Sequence, residues 1–243
     1  MTSPARRHYQ RVTAAMAAGG ASPGQSQSGE QYELHAAALY EARRTLKGIK
    51  STERKIDKKR ELLPEFDAYV AGVLEAGTGA QDDVVVTVML WRLDIGDLAG
   101  ALAIAEYALR HGLDTPDRFE RDTPSIVAEQ LAEEAMRQLE KPHDDTDEGR
   151  AHAANDAAEL AMHLARAEAL TREADMHDPI RAKLHKALGY AERARGGHAA
   201  EALEHLQRAL ELNDRAGVKK DIERLERELK QQQNAGQGSN APA

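Results

Sequence analysis

Apolar residues recur along most of this 243-residue chain with the spacing of amphipathic helices. The clearest stripe has the spacing i, i+3, i+4, i+7, i+8 and consists of Phe66, Tyr69, Val70, Val73 and Leu74. Glycines, prolines and acidic loops separate it from further helical patterns over residues 98–111, 125–139, 150–174, 179–194, 199–212 and 218–230. The pattern therefore predicts an all-α fold.

One apolar segment is open to two interpretations. Residues 82–93 read DDVVVTVMLWRL, and the β-branched run has the propensity of a strand. Two acidic residues at the start favour a helix N-terminus, and the chain offers no second strand with which to pair. We predict a buried helix.

The segment from Gln31 to about Leu63 follows a repeat of 3.5 residues, which is typical of coiled-coil packing. Gly48 and several polar residues weaken this seam. The pattern predicts one long coiled-coil-like helix that either pairs with another chain or packs on its own body. We expect a role in oligomerisation, carried by Leu39, Leu46, Ile49, Ile56 and Leu63.

Charge is distributed unevenly along the chain, although its formal net charge is only −8. Residues 1–60 carry 12 Lys and Arg against five Asp and Glu, whereas the remainder is acidic. A basic face can lie along phosphates, or it can simply solvate a coiled coil. We predict DNA contact, and the candidate residues are Arg6, Arg7, Arg11, Arg43, Arg44, Lys47, Lys50, Arg54, Lys55, Lys58 and Lys59. In particular, Arg43, Lys47, Lys50 and Arg54 would share one face of the long helix.

Residues 197–213 and the preceding Leu188-Gly189-Tyr190 are similar to a tetratricopeptide hairpin, in which small Ala residues allow close helix approach. An ordinary helical hairpin is the alternative. The predicted organisation is a flexible basic N-terminal arm and linker (1–30), a basic coiled-coil-like helix (31–63), a central helical domain (64–140), C-terminal hairpins (141–230) and a disordered tail (231–243).

Several stretches resemble the small terminase subunit (gpM type) of temperate, cohesive-end tailed phages. They are MTSPARRHYQRVTAAM (1–16), KKRELLPEF (58–66), GVLEAGTGAQDDVVVTVMLWRLDIGDLAGALAIAEYALRHGL (72–113), RAKLHKALG (181–189) and AGVKKDIERLERELK (216–230). The resemblance implies a homo-oligomer in the host bacterial cytoplasm that recognises the packaging site on concatemeric double-stranded DNA. It also implies a terminase large subunit, the ATPase motor, as partner. Members are commonly labelled the endonuclease subunit.

Carboxylates are the only candidates for nuclease chemistry, which needs two or three of them converging on Mg²⁺. The weak candidates Asp82, Asp83, Asp94 and Asp97 cluster in one segment, with Glu75 nearby. The alternative, which we favour, is helix capping for Asp82 and Asp83 and turn formation for Asp94 and Asp97. Recognition without catalysis, catalysis by this subunit and a pure protein-interaction scaffold therefore remain alternatives.

Other chemistry lacks its sequence signature. There is no cysteine, no GxxxxGK[ST] phosphate loop and no paired metal-ligand spacing among the ten histidines. We predict neither a metal site nor a cofactor, with Mg²⁺ needed only if the chain is a nuclease. No run of about 18 apolar residues predicts a membrane span.

Overall fold

The computed structural model describes residues 3–116 and 121–238, with side chains as far as residue 234. Regular structure in these ranges is helical, which confirms the all-α prediction, and no helix there is long and apolar enough to cross a membrane. The chain divides into two compact units, Met1–Thr123 and Pro124–Ala243. The first contains α1 (Pro4–Ala18), α2 (Glu30–Lys47), α3 (Thr52–Leu62), a 3₁₀ turn (Leu63–Glu65), α4 (Asp67–Ala76), α5 (Asp83–Asp94) and α6 (Leu98–His111). The second contains α7 (Thr123–Leu139), which begins at the boundary, α8 (Asp147–Thr171), α9 (Asp178–Arg195), α10 (Ala199–Leu212) and α11 (Lys219–Gly238).

Helix α5 is the centre of the first unit. Nine of its twelve residues are buried, so it is apolar on all sides, and it packs against α2, α4 and α6. The ring of Phe66 meets that of Trp91 edge-on, with centroids 6.2 Å apart. The prediction of a buried helix over this segment is confirmed.

The N-terminal region is packed on the first unit, so the prediction of a flexible arm is not confirmed. Helix α1 lies against α4, where Ala14 and Ala18 are buried and Gly72 allows close approach. A Cβ at Gly72 would lie 2.4 Å from the carbonyl oxygen of Arg11. The following linker is also held, because Gln27 N–H donates to the carbonyl of Gln81 at 2.7 Å.

The prediction of one helix from residue 31 to 63 is wrong. Helix α2 ends at Lys47 with Gly48 as its C-cap, and α3 begins after Ser51, whose hydroxyl accepts from the backbone N–H of Arg54. Glycine is a poor helix former, and a serine cap begins a new helix, so the two residues together favour two helices over one. The heptad pattern therefore continues across the non-helical connection between α2 and α3. The four cations Arg43, Lys47, Lys50 and Arg54 do not share one helix face.

The predicted seam residues are largely used within the chain. Leu39, Leu46 and Leu63 are buried, while Ile49 and Ile56 are half-buried. Helix α2 contacts α1 and α5, so at least part of the predicted seam packs on the body of its own chain. The oligomeric role of these residues stays a prediction.

The second unit stacks α8, α9, α10 and α11 in sequence order. Gly189 brings α9 close to α10, since a Cβ there would lie 2.6 Å from Leu206 Cδ2. Lys183 joins α9 to α7 through ion pairs of 2.6 Å with both Glu129 and Glu133. Helix α11 extends to Gly238, past the predicted start of the tail at residue 231; residues 239–243 of that tail lie outside the described residues.

Candidate nucleic-acid interface

The four-residue connection between α2 and α3 concentrates positive charge on the surface of the first unit. Lys47 ends α2, Lys50 lies in the turn and Arg54 is in the first turn of α3. All three side chains are exposed, and in the described part of the chain none of them has a hydrogen-bond or ion-pair partner. We call these three residues the basic elbow. Lys55 lies beside it and is half-buried.

Two of the predicted DNA-binding residues point into the fold. Arg43 is half-buried and donates to the hydroxyl of Thr87, which is buried on α5. Lys59 pairs with Asp94 at the end of α5 and keeps only 15% of its side chain exposed. These contacts hold α2 and α3 to the central helix. Arg54 lies on the opposite side of α3 from Lys59, because five residues rotate a helix by about 140°.

Of the remaining predicted cations of this region, Arg44 is exposed and Lys58 is partly exposed, and both are locally paired. Arg44 lies 3.4 Å from Glu41, and Lys58 lies 2.7 Å from Glu61. Exposed pairs at this spacing contribute little and release their cations easily. These residues can therefore contribute to a phosphate surface without loss of structure.

Helix α1 carries a second group of cations. Arg6 and Arg7 are exposed, and Arg11 lies 3.6 Å from Glu75 with both side chains about half-exposed. A shallow pocket of about 350 Å³ lies between α1 and the start of α4, lined by Arg7, His8, Arg11, Asp67 and Ala68. Its cations outnumber its one carboxylate, which is also bound by Arg92 at 2.6 Å.

Asp82, the first nuclease candidate, is fully buried and caps α5. Its carboxylate accepts from the backbone N–H groups of Val84 and Val85 at 2.9 and 3.1 Å, and from the hydroxyl of Tyr69 at 2.6 Å. Burial raises the pKa of this carboxyl, whereas the three hydrogen bonds act in the opposite direction. The Tyr69 ring in turn stacks on the ring of His35 from α2, with centroids 4.3 Å apart.

The other three candidate aspartates do not converge with Asp82. Asp83 accepts from the side chain of Gln81 at 3.2 Å, and Asp94 pairs with Lys59. Asp97 caps α6 by accepting from the backbone N–H of Gly100, and it also pairs with Arg92. Within residues 3–116 and 121–238, no three His, Asp or Glu side chains are placed to hold one metal ion.

The second unit presents a groove of about 590 Å³ between α7 and α9. Met136 and Leu139 form its apolar side, and Lys186, Tyr190 and Arg193 form its polar side. Tyr190 donates to Asp221 at 2.9 Å, and burial together with this carboxylate raises the pKa of Tyr190 to about 12. No local pattern in the sequence predicts this groove, because its two sides come from residues about 50 positions apart.

The signal for the elbow was present in the sequence. Gly48 followed by Ser51 combines a frequent helix stop with a preferred N-cap, only three residues apart. The heptad spacing from residue 31 to residue 63, however, predicts one continuous helix across these two residues. Apolar spacing alone therefore does not predict the turn that exposes Lys50.

Comparison with known proteins gives the same family along most of the chain. The family described as phage small terminase subunit matches residues 36–179. A protein of Escherichia phage P2 named "Terminase, endonuclease subunit" is 51% identical over 238 residues, covering 95% of this chain and 87% of that protein. The "Probable terminase, endonuclease subunit" of Haemophilus phage HP1 is 28% identical over 104 residues, covering 42% of this chain and 37% of the HP1 protein. No solved structure matches. The match over more than half of the chain, together with this identity, shows that the chain belongs to the phage small terminase subunit family.

Proposed function

We propose that the protein binds the packaging site on concatemeric phage DNA, in the cytoplasm of the host bacterium, and recruits the large ATPase subunit. Membership of the small terminase subunit family supports a role in DNA packaging. The basic elbow is the observation that carries the DNA-binding part of the proposal. Its three cations have no partner to displace among the described residues, so phosphates are their natural counterions.

The surroundings of the elbow suit a helix that lies against a duplex. A four-residue turn containing glycine connects α2 and α3, as in helix-turn-helix motifs. Helix α3 has no buried residue, and it is held to the end of α5 by Lys59, which pairs with Asp94, and by Arg60, which donates to the carbonyl of Ile95. Its exposed positions can contact DNA, with phosphate contacts from Lys47, Lys50 and Arg54 setting its position.

Recruitment of the large subunit is assigned to the second unit. The close approach of α9 and α10 at Gly189, with Ala202 and Leu206 buried opposite, supports a tetratricopeptide-like hairpin, a motif that commonly binds proteins. The groove between α7 and α9 adds apolar side chains beside exposed charge. We propose that this unit docks the large subunit, and that the protein works as a homo-oligomer.

The DNA-binding proposal is tested by replacing Lys47, Lys50 and Arg54 together with alanine. We expect affinity for a duplex to fall on the order of tenfold or more, and the slope of log affinity against log salt to flatten by about 0.9 per lost phosphate contact. Electrophoretic shift assays on packaging-site and scrambled duplexes at several salt concentrations measure both.

The matched control removes three exposed cations from the second unit, Arg215, Lys219 and Lys220. It changes the net charge equally and should leave affinity and salt slope near the wild-type values. Equal losses in both variants would mean that total charge, and not the elbow, determines binding.

A second candidate function is Mg²⁺-dependent cleavage by this subunit, favoured by the names of the two relatives. The four candidate aspartates each have a structural contact, so the observed arrangement supports recognition better than catalysis. The same assay, repeated with Mg²⁺ and without the large subunit, separates the two. Site-dependent cutting would establish the nuclease, whereas a shift without cutting favours recognition.

A further inference from the structure

Two of the large exposed apolar side chains lie on the same face of α1. Tyr9 keeps 69% and Met16 keeps 76% of its surface exposed. They are one heptad apart, and Ala5 and Val12 complete a spacing of four, three and four residues. We call Ala5, Tyr9, Val12 and Met16 the α1 stripe.

The α1 stripe is presented by a helix that is already fixed. Ala14 and Ala18 bury the opposite side of α1 against α4, and the lack of a Cβ at Gly72 permits this contact. The stripe therefore faces outward. Exposed apolar surface of this kind marks a contact site, and phosphate contacts alone would leave Tyr9 and Met16 uncovered.

Helix α8 in the second unit has an outward face with the same periodicity. Met162 is 60% exposed at its middle, and the surrounding positions follow at alternating intervals of four and three residues. We call this face the α8 stripe; its members are Ala151, Asn155, Ala158, Met162, Ala165 and Ala169. The opposite side of α8 is buried through Ala157, Leu160, Ala161 and Leu164.

The two stripes are complementary in size. The α1 stripe places Tyr9 and Met16 at positions where a facing helix needs small residues, and the α8 stripe supplies alanine at four of its six positions. Met162 in turn would face a helix on which the smaller Ala5 and Val12 alternate with the two large side chains.

The two helices are also complementary in charge. Helix α1 contains three arginines and no acidic residue, while α8 contains five acidic residues against two arginines. Two copies of α1 facing each other would bring arginines together, which disfavours a symmetric pair of α1 helices. An α1 against an α8 brings opposite charges together.

From these observations we propose that the α1 stripe of one copy of the chain packs on the α8 stripe of a second copy. The contact is heterologous, so each added copy leaves one free α1 and one free α8, and the assembly grows head to tail until it closes as a ring or continues as a filament. This inference rests on the proposal that the protein works as a homo-oligomer, and it identifies the interface between the copies. It does not use the seam of residues 39–63.

The test mixes two variants, Met16→Glu and Met162→Glu, each of which blocks one half of the contact. Sedimentation of the full chain without DNA should show a multimer for the wild type and a monomer of 26.6 kDa for each variant alone. An equimolar mixture should form a dimer and nothing larger, because only one intact α1 and one intact α8 remain to meet. Recovery of the dimer also shows that both variants fold.

Leu34→Glu is the matched control, since Leu34 is 61% exposed on α2 outside both stripes. It should assemble like the wild type.

A multimer in either stripe variant, or a mixture that stays monomeric, would overturn the contact while leaving DNA binding untouched. A wild-type chain that remains monomeric would overturn the oligomer itself. A variant that still assembles but loses duplex affinity would assign the α1 stripe to DNA.

Discussion

Asp82 shows how one side chain connects two helices of the first unit. It caps α5, accepts from Tyr69 of α4 and is itself completely buried. A buried carboxylate is tolerated only when hydrogen bonds replace its lost hydration, and here three donors do so. The sequence identified the cap from the acidic pair before an apolar run, but Tyr69 lies 13 residues away and no local pattern predicted that bond.

Replacing Asp82 with alanine should lower the free energy of unfolding by about 2–4 kcal/mol, since the cap and the partner of the Tyr69 hydroxyl are both lost. Asp83→Ala should cost less than about 0.5 kcal/mol, because Asp83 contacts only the side chain of Gln81 in the described residues. Urea denaturation measures both. Equal destabilisation by the two substitutions would show that Asp82 is not the structural member of the pair.

At the scale of helices, one glycine permits a contact and another lies at a break. Gly72 allows α1 to lie directly on α4, and Gly48 ends α2 before the basic elbow. Periodicity predicted a helix at α4 and a helical segment that includes α2. It did not show that α1 is docked, because basic composition and a Gly/Ser-rich linker are also typical of a flexible arm.

Gly72→Ala should lower the free energy of unfolding by about 1–3 kcal/mol, because the new methyl group meets the backbone of α1. Limited proteolysis should then cleave more readily near residues 4–18, as α1 separates from α4. Gly48→Ala is the control: its backbone is helical, with φ −73°, and a Cβ meets its nearest neighbour at 3.4 Å.

Since alanine restricts the unfolded chain more than glycine does, Gly48→Ala should be neutral or stabilising by up to about 1 kcal/mol. If both substitutions were neutral, the docking of α1 on α4 would be looser than the structure indicates, and the N-terminal region would resemble the flexible arm predicted from composition.

For the whole chain, the division of charge along the sequence does not coincide with the division of structure. The basic segment ends near residue 60, but the first unit continues to Thr123 and includes acidic helix ends such as Asp82 and Asp97. Sequence composition could locate the basic residues, but it could not show which of them are exposed. That depended on the turn at Gly48 and on the inward contacts of Arg43 and Lys59.

The stability of the second unit should depend on pH through two histidines between α9 and α10. The Nδ1 atoms of His185 and His205 lie 3.2 Å apart. Burial, reinforced by His205, lowers the pKa of His185 to about 4, and burial also lowers the pKa of His205. The charged groups that act on the pair are Glu168 on α8, Arg181 and Glu192 on α9, and Glu204 and Arg208 on α10.

Because these pKa values lie below the ordinary value of 6.5, the unfolded chain takes up protons between about pH 6.5 and pH 4 that the folded chain does not. The folded state should therefore lose stability as the pH falls from 7 to 5, measured as a drop in melting temperature. Replacing both histidines with glutamine should reduce that drop, whereas His152→Gln, at an exposed position of α8, should not. An unchanged drop in the double variant would assign the acid sensitivity to other groups and leave the histidine pair without a role in it.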